Sequence, residues 1–249
     1  MTDVVALVGD LEAEQLELAA VVDSLSADDW LTPTPAWGWD VRDTIAHLAD
    51  TDEMAIDTAT GGPYAINDLA QRAASGADVT YHGVLRGRRL AGADVAAWWA
   101  RASAKERSML LQLPADARVP WGIGMRTSSF ATARLMETWA HGLDVRAALG
   151  VPAVDTDRLA HVAWLATRAL PYAYSVAGRT PPDAPLRVEL TLPSGARWAG
   201  GPEDADARIT GSAGQYCRVF VHRQPVADTN LVVVGDAARA AIAVARAFL

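Results

Sequence analysis

The chain has 249 residues, which suits one large or two small domains and is long enough to bury a hydrophobic core. Its formal net charge of −8 argues against a nucleic-acid or anionic-membrane surface, because either needs a basic face. No apolar run approaches the ~20 residues of a membrane-spanning helix, and the N-terminus lacks the pattern of a secretion signal. The single cysteine, Cys217, excludes an intramolecular disulfide framework. We therefore expect a cytoplasmic protein without nucleic-acid or membrane partners.

Hydrophobic periodicity predicts helices in the first part of the chain. Apolar residues three and four apart predict an amphipathic helix over 3–25. Asp40, with a further acid three residues later, resembles an N-cap for a second helix from about Val41 to Thr58. The segment 64–92 is ambiguous because its helical pattern is interrupted by glycines at positions 76, 83, 87 and 92.

Three further helices are predicted at 94–113, at 127–149, where Gly150 ends the pattern, and at 155–174. Short connections between four or five such helices favour an antiparallel bundle.

The pattern changes after the proline-rich stretch 179–185, which is the predicted linker. Residues 186–192 alternate between apolar and polar side chains, as in a half-buried strand. Further strands are predicted at 207–210 and 231–234, and further helices at 216–222 and 237–248. The predicted fold class is mainly α, with a helical bundle over 1–178 and a small α+β domain over 186–249.

A candidate metal site comes from three residues. Glu137 and His141 lie four apart on a predicted helix, so their side chains share one face. Taken alone, such a pair is more often a surface or partner pair. His47 lies on another predicted helix whose inner face should point to the same interior. Two imidazoles and a carboxylate fit zinc or a similar divalent ion and leave a position open for water or substrate, as in catalytic sites.

Asp144 and Asp50 are candidate supports for these ligands, because each follows a candidate histidine by three residues. Metal-bound imidazoles usually donate their second N–H to a carboxylate or carbonyl. The alternative, a pair with Arg146 or Arg42, stays open and is favoured by the pattern.

The remaining reactive side chains are expected to be structural. His82, His161 and His222 are predicted at a surface or interface, and Cys217 is predicted to be a buried, inert thiol. Tryptophans are expected mostly in the core, with one or two lining a pocket, among Trp37, Trp39, Trp98, Trp99 and Trp139.

Two segments resemble the mycothiol-dependent maleylpyruvate isomerase group of the DinB-like metal-binding superfamily. Residues 39–48 read Trp-Asp-Val-Arg-Asp-Thr-Ile-Ala-His-Leu, and residues 136–145 read Met-Glu-Thr-Trp-Ala-His-Gly-Leu-Asp-Val. The resemblance implies that His47, Glu137 and His141 are zinc ligands. It also implies a four-helix bundle followed by a sterol-carrier-like α+β domain.

In that group an arginine after a glycine at a helix end has a catalytic or substrate-binding role. The resemblance places Arg223 at that point, with His222 replacing the glycine. A charged residue at an exposed helix end is the alternative for Arg223.

The function that the resemblance implies is a zinc-dependent thiol transferase or isomerase. It would activate mycothiol for thiol transfer or for cis–trans isomerisation of a small electrophilic acid. Two alternatives stay open: a zinc hydrolase or lyase that needs no thiol, and a non-catalytic metal- or ligand-binding protein. The expected partners are a small-molecule substrate and the thiol, and the chain is expected to be a monomer or a homodimer.

Overall fold

The structure, a computed structural model, describes residues 3–68, 76–114, 116–122 and 124–247. The chain divides by its contacts into two compact units, Met1–Ala153 and Val154–Leu249. The first is helical and the second combines helices with a small sheet, which confirms the predicted fold class. None of the helices in the described ranges is long and apolar enough to cross a membrane.

The described helices of the first unit are α1 (Val4–Val22), α2 (Val41–Thr60), α3 (Gly76–Gly87), α4 (Gly92–Gln112) and α5 (Thr127–Leu149). Helix α2 contacts α3, α4 and α5, whereas α1 packs against α4 and α5. Between α4 and α5, the short strands β1 (Arg118–Val119) and β2 (Met125–Arg126) form an antiparallel pair.

Local sequence signals explain the bounds of α2. The Asp40 side chain accepts a hydrogen bond from the backbone N–H of Asp43 at 2.8 Å, and the Asp43 side chain accepts from the Asp40 N–H at 3.3 Å. This reciprocal capping box confirms the predicted N-cap and satisfies two N–H groups at the helix start. At the other end, Gly61 adopts a left-handed conformation with φ of 80° and closes the helix.

The core of the first unit lies where α2 meets α1, α4 and α5. Its buried side chains are Leu18, Val22, Trp30, Val41, Ile45, Ala46, Leu48, Ala49, Val95, Trp98, Trp99 and Val145. Burying each large apolar side chain contributes about 1.5–3 kcal/mol. The side of α2 that carries Ile45 and Leu48 is therefore held in the interior.

The second unit contains α6 (Leu159–Arg168), α7 (Leu170–Val176), β3 (Leu186–Thr191), β4 (Arg197–Gly200), β5 (Ala207–Ser212), α8 (Ala213–Phe220), β6 (Val232–Val234) and α9 (Asp236–Ala243). The strand order is β4-β3-β5-β6. Strands β3 and β5 pair in parallel, and both edge strands pair antiparallel. Phe248, at the end of the helix predicted over 237–248, lies outside the described residues.

The division between the units lies before α6 and differs from the predicted linker at 179–185. Helix α6 packs on α8, where Oγ1 of Thr167 lies 3.0 Å from the hydroxyl oxygen of Tyr216 and the Cys217 thiol donates to the Leu159 carbonyl at 3.7 Å. Residues 159–176 therefore group with the sheet and not with the bundle predicted over 1–178. The single helix predicted over 155–174 is two helices, because Pro171 at the start of α7 cannot continue α6.

Candidate metal centre

The three candidate ligands lie together in the first unit. His47 comes from α2, and Glu137 and His141 come from successive turns of α5. Each side chain offers one donor atom, and these atoms all lie within 4.8 Å of one another. Nε2 of His141 lies 3.4 Å from Oε2 of Glu137, and the centroids of the two imidazole rings are 4.9 Å apart. Two imidazoles and a carboxylate at this spacing are able to bind one divalent ion.

Helices α2 and α5 run antiparallel at this level. Thr51, one turn after His47, accepts a hydrogen bond at 3.0 Å from Arg134, which comes one turn before Glu137. His47 itself is buried, with 6% of its surface exposed, and faces α5 from the second turn of α2. The ligands therefore converge because two capped helices meet side by side.

Opposite charges face each other within the site. Burial by itself raises the pKa of Glu137, but the hydrogen bond and charge of His141, with the charges of Arg134 and His47, lower it to about 2. Burial also opposes the charge on His141, yet hydrogen bonds to Asp144 and Glu137 raise its pKa above the ordinary value. Because a ligating imidazole must be neutral, a metal ion would displace the proton of His141.

Asp144 lies beside His141. Its Oδ2 atom is 3.3 Å from Nδ1 of His141, and its side chain is only 2% exposed. This contact leaves the other ring nitrogen directed at Glu137. The arrangement is the one in which a carboxylate orients a metal-binding imidazole.

Asp50 does not take the corresponding place beside His47, contrary to the prediction. Its carboxylate accepts from the Tyr64 hydroxyl at 2.9 and 3.0 Å and lies 3.3 Å from Nδ1 of His82. The physical reason is the close approach of α3, because Gly83 packs directly against the Asp50 side chain. Asp50 is thus directed towards α3 instead of α5.

Trp39 is a further component of the site. Its ring centroid lies 5.0 Å from that of His47 and 6.1 Å from that of His141, on which it stacks with an interplanar angle of 23°. The residue directly precedes the cap of α2, so the capping turn sets its position. Trp37 is 98% exposed, and the core position expected for most tryptophans is wrong for it. Trp98, Trp99 and Trp139 are buried as expected.

Arg134 is not among the residues that the sequence predicts for this site. Its side chain is 3% exposed and is bound to two buried acids, Asp52 and Glu106. The available signal was its position one turn before Glu137 on a largely apolar helix. That signal is weak, because an arginine in a helical pattern is usually exposed.

Arg223 and His222 lie in the second unit, just after α8. His222 has a φ of 58°, the left-handed conformation that favours glycine. The backbone at His222 therefore has a conformation that a glycine would adopt without strain. The Arg223 guanidinium donates to the Val221 carbonyl at 2.7 Å and borders an open cavity of about 420 Å³ that is also lined by Val219, Pro225 and Ile242.

Cys217 lies on α8 and is completely buried. Burial raises the pKa of its thiol, which favours the neutral, unreactive form. The structure gives this side chain the surroundings of an inert thiol.

The sequence of the chain matches one protein-family model and two full-length relatives. A family model described as the mycothiol maleylpyruvate isomerase N-terminal domain matches residues 11–146. Two uncharacterized proteins of Mycobacterium tuberculosis, Rv0036c of strain H37Rv and MT0041 of strain CDC 1551, are each 38% identical over 249 residues. Each match covers 100% of this chain and 97% of the relative.

The fold is also similar to solved structures. The crystal structure of the mycothiol-dependent maleylpyruvate isomerase matches with a TM-score of 0.59 and 15% sequence identity, covering 89% of this chain and 90% of that one. A structure of a histidine-to-alanine mutant of that enzyme matches with the same values. At this identity the likeness shows a shared fold.

Proposed function

Because the chain belongs to the mycothiol maleylpyruvate isomerase N-terminal domain family, as its two helical motifs predicted, we propose that it is a metal-dependent enzyme that uses mycothiol. The proposed reaction is thiol transfer to, or cis–trans isomerisation of, a small electrophilic acid. The observation that carries this proposal is the convergence of His47, Glu137 and His141 within 4.8 Å.

The donor set suits Zn²⁺ or a related divalent ion. Zinc binds both imidazole nitrogens, which are borderline donors, and carboxylate oxygens, which are hard donors, and three protein ligands leave a position for an exogenous group. A bound Zn²⁺ would supply Lewis acidity that lowers the pKa of a thiol and so favours the nucleophilic thiolate at neutral pH.

The surrounding side chains have separate roles in this proposal. Glu137 is ionised at neutral pH, so it offers a negative oxygen without a proton to lose. Asp144 holds the ring of His141 from the other nitrogen. The Trp39 indole packs against both imidazole rings. The chain thus supplies a charged carboxylate and two imidazoles whose rings contact neighbouring side chains.

Arg223 is proposed to bind a carboxylate of the acid substrate, as the resemblance implies. A guanidinium binds a carboxylate in a planar, bidentate way. The left-handed turn at His222 and the cavity beside Arg223 support this assignment.

The first test is the metal content of the purified chain. We expect one divalent ion per chain by elemental analysis, and we expect His47→Ala to lose it because one of three donors is removed. His161→Ala, a histidine of the second unit, is the matched control and should retain the metal. Absence of a stoichiometric ion from the wild-type chain after zinc reconstitution would contradict the proposal.

The second test concerns the thiol. Calorimetry should show mycothiol binding to the zinc-loaded chain, and the binding should disappear in Glu137→Ala. Turnover of electrophilic acids should require the thiol. Equal turnover without any thiol would instead favour a hydrolase or lyase that activates water.

A further inference from the structure

A second cluster of charged side chains lies one helical turn from the candidate metal centre. Arg134 donates Nε to Oε1 of Glu106 at 2.8 Å and Nη2 to Oδ1 of Asp52 at 2.6 Å. The same Nη2 donates to Oγ1 of Thr51 at 3.0 Å. The three charged side chains are each 3% exposed or less. Arg134 therefore joins α5 to α2 and α4 from inside the bundle.

The cluster places one cation between two acids in the interior. Burial raises the pKa of Glu106 well above its ordinary value, and the nearby negative charge of Asp52 raises it further. Burial also raises the pKa of Asp52, whereas the charge and hydrogen bond of Arg134 lower it. Arg134 is therefore the positive partner of both buried acids, and its removal would leave them without a compensating charge.

Stability alone is a poor explanation for such a cluster. Replacing a buried ion pair by apolar side chains is often neutral or stabilising, because desolvating the charges costs as much as their attraction returns. A guanidinium also fixes geometry, since its planar group of N–H donors sets the positions of several acceptors at once. The Arg134 guanidinium binds acceptors on two other helices, α2 and α4.

The contacts of Arg134 lead directly to the candidate ligands. The Thr51 hydroxyl, which accepts from Arg134, lies within donating distance of the backbone carbonyls of His47 at 2.9 Å and Leu48 at 3.1 Å. On its own helix Arg134 precedes Glu137 by three residues, so both side chains lie on the same face of α5. One side chain is therefore linked to the helical turns that supply ligands from both helices.

We propose that Arg134 is a positioning residue for the metal centre: it fixes the register between α2 and α5, so that His47 of one helix faces Glu137 and His141 of the other. The proposal rests on the proposed function, because it requires that a metal binds these three residues. Arg134 acts through the helices that it joins.

The test compares variants of the full chain by metal binding. Arg134→Met removes the guanidinium, Arg134→Lys keeps the charge, and Thr51→Val removes only the hydroxyl that links Arg134 to His47. Arg146→Met is the matched control, because Arg146 is also on α5 but donates to the Glu17 carbonyl of α1 at 3.3 Å. Zn²⁺ dissociation constants are measured by competition with a chromophoric chelator. The absorption spectrum at saturating Co²⁺ reports ligand number and geometry, which a general loss of stability does not change.

We expect Arg134→Met to weaken Zn²⁺ binding by about 10–100-fold and to alter the Co²⁺ spectrum, the loss that removal of an outer support typically causes. Arg134→Lys should be intermediate, Thr51→Val should shift in the same direction by less, and Arg146→Met should match the wild type. Folded variants with wild-type affinity and spectrum overturn the proposal. If Arg134→Met does not fold, Arg134→Lys and Thr51→Val decide by the same criterion. A wild-type chain that binds neither metal overturns the proposed function, whereas metal binding that all variants retain overturns the positioning role alone.

Discussion

At the scale of single residues, the orientation of His141 depends on Asp144. The carboxylate lies 3.3 Å from Nδ1, so a proton on that nitrogen is favoured and Nε2 keeps its lone pair on the side of Glu137. A carboxylate beside one ring nitrogen favours the tautomer with the proton on that nitrogen and makes the imidazole a stronger ligand. Asp50 stands at the same offset from His47 but accepts from Tyr64 instead. The two acids therefore form a matched pair for mutation.

Asp144→Asn should weaken Zn²⁺ binding by about 10–100-fold, because a neutral amide supports the His141 ring less strongly than a carboxylate does. Asp50→Asn makes the same chemical change at the same offset and should leave the metal affinity close to that of the wild type. Chelator-competition titration measures both. Equal losses in the two variants, or no loss in Asp144→Asn, would contradict the assigned role of Asp144.

Glu137 and His141 should stabilise the metal-free chain over a limited range of pH. Because the pKa of Glu137 is lowered to about 2, its contribution is complete above its ordinary value of 4.5 and is lost as the pH falls towards 2. Because the pKa of His141 is raised, its contribution is complete below its ordinary value of 6.5 and is lost as the pH rises through the folded-state value. Both contributions are complete between pH 4.5 and 6.5.

Glu137→Gln should therefore lower the unfolding midpoint of the chelator-treated protein most in that range, and the difference from the wild type should shrink on both sides of it. Thermal denaturation at a series of pH values measures the difference. Asp236→Asn, at an acid that is 98% exposed, is the control and should have little effect. A deficit in Glu137→Gln that does not vary with pH would contradict the ion pair.

At the scale of helices, glycines explain why the sequence pattern does not predict α3. Glycine weakens a helical pattern because it costs backbone entropy, so the pattern over 64–92 is ambiguous. In the structure, Gly83 and Gly87 face α2, and a Cβ at Gly83 would lie 2.5 Å from the Asp50 Cβ. The glycines are thus explained by tertiary packing, which allows α3 to lie directly against α2.

Gly83→Ala should destabilise the first unit by about 1–3 kcal/mol, the usual cost of overpacking, because the new methyl group forces α3 away from α2. Gly9→Ala makes the same change on α1, where a Cβ meets nothing within 4 Å. It should stabilise the protein by about 0.5–1 kcal/mol through helix propensity. Denaturant unfolding gives both free energies, and opposite signs are the expected result. A stabilising Gly83→Ala would show that α3 does not pack closely against α2.

At the scale of the whole molecule, local signals account for what could be predicted. The bundle and its three candidate ligands follow from helical periodicity, the cap at Asp40 and an i, i+4 spacing. The boundary between the units could not be predicted, because residues 159–176 have the same pattern whichever unit they join. Their position depends on Tyr216, which is far along the chain. The burial of Arg134 could not be predicted from local signals either, since it depends on acids from two other helices.

Metal binding should stabilise the unit that supplies the ligands. An ion at about 100 times its dissociation constant adds about 2.7 kcal/mol, or about 5–10 °C in unfolding midpoint for a unit of this size. In hydrogen exchange of the full chain, the largest gain in protection should fall on α2 and α5, because His47 lies on one and Glu137 and His141 on the other. His47→Ala should abolish both effects. A gain that is largest within 154–247, or a midpoint shift that His47→Ala retains, would mean that the ion binds elsewhere in the chain.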